Sequence, residues 1–445
     1  DHLYFDLNFI FHQIIYSTKT EKEFYRRLKY KVDEILRSVI ITQSIYFAMD
    51  GPAPRAKLML QRKRRQLSAR CSPGTLDAIN SMCLTPGTIF MEKLGKKFQG
   101  WIEGYKKNYP ELTFYFSSAR LPGEGELKIA EKIKLQTGSH LIAGNDSDLL
   151  ALGLALNTED RIGIYFPTRK IFLLETMVEK VNKTLGGGFF SSELREDLAF
   201  LTLLLGNDYL PKLRYASEVK IFKAYYELRP SNPPLISKGK LDLDFFKKLL
   251  LRITQKLAPQ FQNFNLPLYA QNLKVYPLYL QSLLWCFSMY HTGTCQKEDF
   301  QYEEQSVSPP ELYFYLLDHP LPNAPTSSIR PLPIKIYPLL VLPEKATFLL
   351  PAFLRARKKT FSFLYEGDRC SRCAKLWKEI EENRQKLKLY ENEDSPPILI
   401  KATLDSLWRD FHHHQEIHEK CFNLRKVFRL AKKVGILKRK PRAKV

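Results

Sequence analysis

The chain has 445 residues, 44% of them hydrophobic, which is enough for one large core or for two to three domains. A formal net charge of +22 with 13% aromatic residues points to a polyanionic partner, with nucleic acid ahead of a membrane surface. No run of 18 apolar residues occurs, which excludes an ordinary transmembrane helix.

The elements in chain order begin with Leu3-Tyr4-Phe5, strand-like and ending at Asp6. Residues 21–38 carry apolar positions at helical spacing among charges. Ser44–Met49 is a second strand and ends at Asp50. Pro54 then opens a helix. Residues 86–108 form a long amphipathic helix, Leu112–Phe116 a third strand, and about 124–136 another helix. His140–Ala143 is a fourth strand, ending near Asp146. This alternation predicts an α/β fold: a mostly parallel central sheet flanked by helices, followed by a largely helical C-terminal region. An apolar helix over 197–205 leads to Asp208. Beyond a boundary near 225–235, Pro-rich loops separate apolar segments, and 374–420 is charged and helical. The expected organisation is a core over 1–228, a helical part over 229–369, a helical hairpin over 370–424 and a basic tail over 425–445. The seven cysteines are odd in number and mostly scattered, without a secretory signal. They read as a reduced intracellular protein, cytoplasmic or nuclear. The opening Asp1-His2-Leu3 lacks an initiator Met and reads as a piece of a longer natural chain.

Ligands in open α/β sheets bind beyond the carboxyl ends of the strands. Asp6, Asp50 and Asp146 each stand at such an end, and Asp148 follows in Gly144-Asn145-Asp146-Ser147-Asp148. Glu124 and Glu126 lie in Pro122-Gly123-Glu124-Gly125-Glu126, where glycines permit a tight turn into a helix. Asp208 lies in Gly206-Asn207-Asp208. Singly, such an Asp is as often a helix N-cap, and such a Glu serves the helix dipole. Together, seven converging acids would repel unless divalent cations sat among them, and an all-oxygen set suits two Mg²⁺ or Mn²⁺ ions. The chemistry that pair supports is phosphodiester hydrolysis. After Asp50, Lys57, Gln61, Arg64 and Arg65 fall at i, i+4, i+7 and i+8 of the helix, one basic face suited to a terminal 5′ phosphate or else simply solvated.

Six segments carry a resemblance: Asp1–Phe11, Asp50–Arg65, Thr85–Met91, Pro122–Ile129, Gly144–Leu152 and Leu205–Pro211. In order, they resemble the blocks of the XRN 5′→3′ exoribonuclease family, within the wider flap-endonuclease-like and PIN-like nucleases. The resemblance covers about the first 215 residues. It implies that Asp6, Asp50, Glu124, Glu126, Asp146, Asp148 and Asp208 bind the catalytic metals. It further implies that Lys57, Gln61, Arg64 and Arg65 bind the 5′ phosphate of single-stranded RNA and that His12 stacks on a nucleotide. As an isolated strand-end residue, His12 would be structural. The family's Gly-Leu-Asp-Ala-Asp is Gly-Asn-Asp-Ser-Asp here with its acids kept, and the family's N-terminal Gly-Val-Pro segment is absent. Leu283–Gly293 resembles the start of the second conserved region, but the aromatic stretch expected next is reduced to Cys295–Tyr302. There Phe300 stands near the position of a base-stacking Trp.

Further on, Cys370-Ser371-Arg372-Cys373 offers two thiolates at knuckle spacing, and His414 and His418 are four apart on one helix. The four would complete a tetrahedron for a structural Zn²⁺. His412, His413 and Cys421 are alternative ligands, and two free cysteines beside a histidine-rich helix is the other reading. The rival functions are an idle RNA-binding scaffold of a larger assembly, for which a full acid set would be superfluous, and a structure-specific 5′ nuclease on DNA. The sequence specifies no protein partner.

Overall fold

The computed structural model describes residues 1–71, 79–145, 147–156, 158, 160–262, 266–326, 330–390, 398–420 and 422–437. Asp146, Cys421 and the last basic residues, 438–445, lie outside the described residues. The chain divides into two compact units, one of Asp1–Leu60 with Glu92–Ile334 and the other of Gln61–Met91 with Lys335–Val445.

The first unit is built on a six-stranded sheet. Its strands are β1 (His2–Asp6), β2 (Ser44–Ala48), β3 (Thr113–Ser117), β4 (His140–Ala143), β5 (Ile162–Tyr165) and β6 (Ile171–Leu173). They lie in the order β3-β2-β1-β4-β5-β6. The first five are parallel, and β6 runs antiparallel to β5 along the edge. The expected mostly parallel sheet is thus observed, with two strands more than the sequence pattern disclosed. Ile162–Tyr165 is a four-residue run and β6 has three, too short for a periodicity to declare itself.

Helices cover both faces. They include α1 (Leu7–Ile15), α2 (Glu21–Ser38), α3 (Arg55–Cys71), α4 (Ile89–Asn108), α5 (Gly125–Ile133), α6 (Ser147–Ala155), α7 (Leu174–Thr184), α8 (Ser191–Leu203), α9 (Glu218–Leu228) and α10 (Leu243–Gln255). On one face Phe5 stacks on Phe47 at 4.8 Å, and Phe47 meets Phe98 of α4 edge-on at 5.0 Å. Alternation along the strands sends Tyr4, Ala48, Ile142 and Ile164 to the other face, into the large core under α5, α6 and α8. After β1, β2 and β3 the chain returns to the far side of β1 with β4. The order therefore reverses between β1 and β4, the crevice where such sheets hold ligands. In register, Asp6 stands opposite Ala48 and Phe5 opposite Ala143, so the residues just past β2 and β4 flank Asp6.

A buried charge ties α8 to the segment after α9. Asp197, fully buried, accepts hydrogen bonds from Tyr225 Oη at 2.7 Å, Ile236 N at 2.7 Å and Arg229 Nε at 3.2 Å. Burial pushes its carboxyl up to about 6 despite those donors. Arg229 is itself 3% exposed, and losing Asp197 would leave its guanidinium only Glu193 and the Asn232 carbonyl as hydrogen-bond partners among the described residues. Asp197→Ala should cost about 3–5 kcal/mol of unfolding free energy. In urea denaturation the midpoint should fall while the slope stays constant; an unchanged midpoint would show that Arg229 finds other partners.

The second unit takes the later turns of α3 together with the helices Ser371–Lys388, Ile398–Lys420 and Leu424–Lys433. Its buried Arg62 donates to the carbonyls of Leu340, at 2.7 Å, and Leu364. Among the described residues of the whole chain, no helix is long and apolar enough to cross a membrane.

Candidate active site

Asp6 ends β1 and caps α1, where its Oδ1 accepts from Asn8 N at 3.2 Å and Phe9 N at 3.4 Å. The capping role and the site role therefore fall on the same carboxylate. Asp50 follows β2, and Asn8 binds it twice. Asn8 Nδ2 donates to Asp50 Oδ2 at 2.8 Å, and Asp50 N donates to Asn8 Oδ1 at 3.1 Å. The Gly125 amide, in the first turn of α5, donates to Asp50 Oδ1 at 2.7 Å. A Cβ at Gly125 would sit 3.2 Å from Asp6 Oδ1 and 3.3 Å from Asp50 Oδ1, so this glycine keeps the two carboxylates in reach of one point.

Glu124 caps α5, and Glu126 lies in its first turn; both are buried. Lys57 of α3 bridges Glu124 Oε1, at 2.8 Å, and Asp208 Oδ2. Tyr209 donates its hydroxyl to Glu124 and holds its ring 5.7 Å from Lys57 Nζ. Burial alone would lower the Lys57 ammonium, but the charges of Glu124, Glu126 and Asp208 outweigh it and hold it well above its usual value. Burial raises the Glu124 carboxyl; Lys57 pulls it down and Asp50 pushes it back up. Asp148, in the first turn of α6, joins the group electrostatically. After burial, its charge and that of Glu126 push the Tyr290 phenol up.

Six of the seven expected acids are therefore linked through shared partners, and Asp146 lies outside the described residues. The donors are oxygens, and among them the described ammonium bridging two acids is that of Lys57. Such a set fits hard divalent cations.

The basic set is divided differently. Lys57 belongs with the acids of the first unit. Gln61, Arg64 and Arg65 follow on the same continuous helix but in the second unit. There Gln61 Oε1 accepts from Tyr337 Oη at 2.9 Å, Arg65 Nε donates to Thr85 Oγ1 at 3.3 Å, and Arg64 is exposed. His12 is not a strand-end residue: Leu7–Ile15 is helical, its apolar stripe is Leu7, Ile10, Phe11, Ile14 and Ile15, and the His12 ring lies 6.2 Å from that of Tyr16. Phe300 leans on buried Trp285 at 5.2 Å. Trp285 in turn meets Tyr209 edge-on at 5.5 Å, so an aromatic row runs from Glu124 to Phe300.

With this arrangement in view, the relatives can be named. Residues 1–164 match the family model described as XRN 5′-3′ exonuclease N-terminus. Over this segment the chain is similar to the XRN family. The 5′-3′ exoribonuclease 1 of Schizosaccharomyces pombe is 26% identical over 313 residues, which is 57% of this chain and 24% of that protein. Its Homo sapiens counterpart is 27% identical over 317 residues, 57% of this chain and 18% of that protein. The 5′-3′ exoribonuclease 2 of Gallus gallus is 32% identical over 194 residues, 35% of this chain and 20% of that protein. The chain thus spans no more than 24% of the length of these XRN relatives.

Several site residues escaped the sequence reading. Asn8 stands two places after Asp6 and Tyr209 directly after Asp208, so adjacency was the available signal. Lys128 donates to the carbonyls of Met49 at 2.7 Å, Leu121 at 2.9 Å and Ser118 at 3.2 Å, tying the 118–125 turn to the end of β2. Burial lowers its ammonium to about 8. Glu298 is raised to about 7, first by burial and then by the charge of Glu124. Its Oε2 is buried and accepts no hydrogen bond among the described residues. A carboxyl raised from 4.5 to about 7 by folding holds its proton longer in the folded state. Stability is therefore lost as pH rises from about 4.5 to about 7, and the cost persists above. Glu298→Gln should match the wild type near pH 4 and exceed it by about 2 kcal/mol at pH 8 in chemical denaturation. Parallel pH curves for the two proteins would refute this.

Proposed function

We propose that this chain is a metal-dependent 5′→3′ exoribonuclease that removes nucleotides one at a time from single-stranded RNA carrying a 5′ monophosphate. The observation that carries this reading is Lys57 held between Glu124 and Asp208, with Asp6 and Asp50 joined beside the start of α5 through Asn8 and Gly125, within and beside a segment similar to the XRN family. These acids, with Glu126, Asp146 and Asp148, are the ligands for Mg²⁺ or Mn²⁺. A pair of such ions supplies charge neutralisation and Lewis-acid activation of the scissile phosphate.

The hydrolysis balances simply. A water oxygen bonds to the phosphorus between the first and second nucleotides, and the bond to the 3′ oxygen of the first breaks. The first nucleotide leaves as a 5′-monophosphate with a 3′ hydroxyl. The shortened RNA keeps a new 5′ phosphate, so each product is the next substrate. Lys57 bridges Glu124 and Asp208, and its ammonium is the charge those acids exchange for a cation. Once released, it can meet phosphate oxygens. Gln61, Arg64 and Arg65 on the following turns of α3 add an amide and two guanidinium forks for the 5′ phosphate. His12 and Phe300 are the base-stacking partners, and a phenyl ring in place of an indole offers less area. Among the described residues Cys286, Cys295, Cys370 and Cys373 form no disulfide, in keeping with an intracellular site of action.

The competing reading is an idle RNA-binding relative in which Lys57 keeps Glu124 and Asp208 permanently neutralised. With Mg²⁺, 5′-monophosphorylated RNA labelled at its 3′ end should shorten on a denaturing gel, while 5′-hydroxyl, 5′-triphosphate and capped RNA resist. Equal rates on all ends reject the phosphate assignment, and preferential cutting of DNA flaps rejects the RNA assignment. Asp208→Ala should slow hydrolysis about 100-fold or more. RNA affinity should stay within a few-fold, because phosphate contacts elsewhere dominate binding. An unchanged rate removes Asp208 from the site. RNA binding without Mg²⁺-dependent hydrolysis in the wild type favours the idle relative.

A further inference from the structure

A second cluster of ligating side chains lies in the second unit and takes no part in the proposed hydrolysis. Cys370 caps the helix Ser371–Lys388, and its Sγ accepts from Cys373 N at 3.5 Å. His414 and His418 stand one turn apart on the helix Ile398–Lys420, with rings 5.1 Å apart. His414 Nδ1 lies 3.2 Å from Cys373 Sγ and 3.8 Å from Cys370 Sγ. One ligand atom from each of the four residues falls within 4.8 Å of every other. In a tetrahedron with Zn–S of about 2.3 Å and Zn–N of about 2.0 Å, the S···N edge is about 3.6 Å, between the two observed values.

We propose that Cys370, Cys373, His414 and His418 bind one structural Zn²⁺ that fastens the two helices together. A mixed set of two thiolates and two imidazoles selects Zn²⁺ over hard cations such as Mg²⁺. Four protein ligands leave no position open for substrate, so the ion is structural. His418 Nε2 is buried and has no hydrogen-bond partner among the described residues, which is costly unless something is bound there. Gly367 backs the same histidine: a Cβ at that glycine would come within 3.2 Å of His418 Cβ. Arg62 and Arg70 line the small cavity that Cys373 and His418 share. Zn²⁺ with two thiolates is neutral overall, so those guanidiniums do not oppose it.

The fold supplies a reason for the metal. The two helices carry many charged residues, and their shared core is small: Cys373, Ile380 and Phe411 are buried, with Trp377 and Trp408 packed at its margin. Small cores of this kind commonly need a metal or a disulfide as a staple. A redox disulfide is the rival use of a Cys-x-x-Cys at a helix start. Two histidines converging on the same point have no role in it.

The proposal is independent of the nuclease reading, because its readout is metal content. Purified full chain should carry about one zinc per molecule by elemental mass spectrometry. Zinc in the double variant Cys373→Ser/His418→Ala should fall at least about 10-fold, while Cys295→Ser, remote from the cluster in sequence, keeps it. The wild type loaded with Co²⁺ should give the intense thiolate charge-transfer and tetrahedral d–d bands. Chelation should also shift the fluorescence of Trp377 and Trp408. Folded wild type without stoichiometric zinc, lacking the tetrahedral Co²⁺ spectrum, overturns the proposal. So does a double variant that retains zinc at the wild-type level. If the variant fails to fold, the Co²⁺ spectrum of the wild type decides alone.

Discussion

Carboxylates confined to a small buried volume repel one another, and the carboxyl edge of the sheet is organised by that repulsion. The parallel order brings Asp6 and Asp50 to the ends of neighbouring strands, and α5 aims its first amides at them. The Gly125 amide reaches Asp50, and the dipole of α5 favours negative charge at the same place. Lys57 enters from α3 and meets Glu124 and Asp208, while Tyr209 donates to Glu124 from the side. Each of these groups lowers the cost of holding acids together, and burial still leaves Glu124 raised. A site with this residual excess of negative charge is disposed toward cations.

Much of this architecture was legible in the sequence. Short apolar runs ending in Asp marked β1 and β2, and His140–Ala143 marked β4. The helix after Pro54 began at Arg55 as its proline suggests. Such signals are local: a strand buried on both faces is a short apolar run, and a helix boundary is one residue type. The positions of Asp6 and Asp50 at strand ends were legible for the same reason, because the parallel order carries those ends to one edge.

What sequence could not supply was pairing in space. Lys57 fits a regular basic face with Gln61, Arg64 and Arg65, yet its ammonium turns to the acids, because buried Glu124 and half-buried Asp208 attract it more strongly than a solvated face does. α1 has a regular stripe, Leu7, Ile10, Phe11, Ile14 and Ile15, but with nine residues directly after β1 it is short enough to be read as a continuation of the apolar strand. The Cys-x-x-Cys and the two histidines were visible separately, more than 40 residues apart. Their convergence depends on how two long charged helices lie together, which periodicity does not encode. Glu298, Asp197 and Glu196, raised acids outside the expected set, are defined by burial, a property of the packed chain.

The turn after β2 meets the turn before α5 so closely that a Cβ at Gly51 would fall 1.7 Å from the carbonyl oxygen of Leu121. The main chains are also stitched by Gly51 N to Gly123 O and by Gly123 N to Pro52 O, both at 2.9 Å. The two turns therefore behave as a single interlocked part. Asp50 and Glu124 ride on it together, and neither can drift without dragging the other. The spacing between these acids is thus dictated by backbone against backbone, the stiffest material a protein has, and not by side-chain rotamers that could relax around a cation of the wrong size.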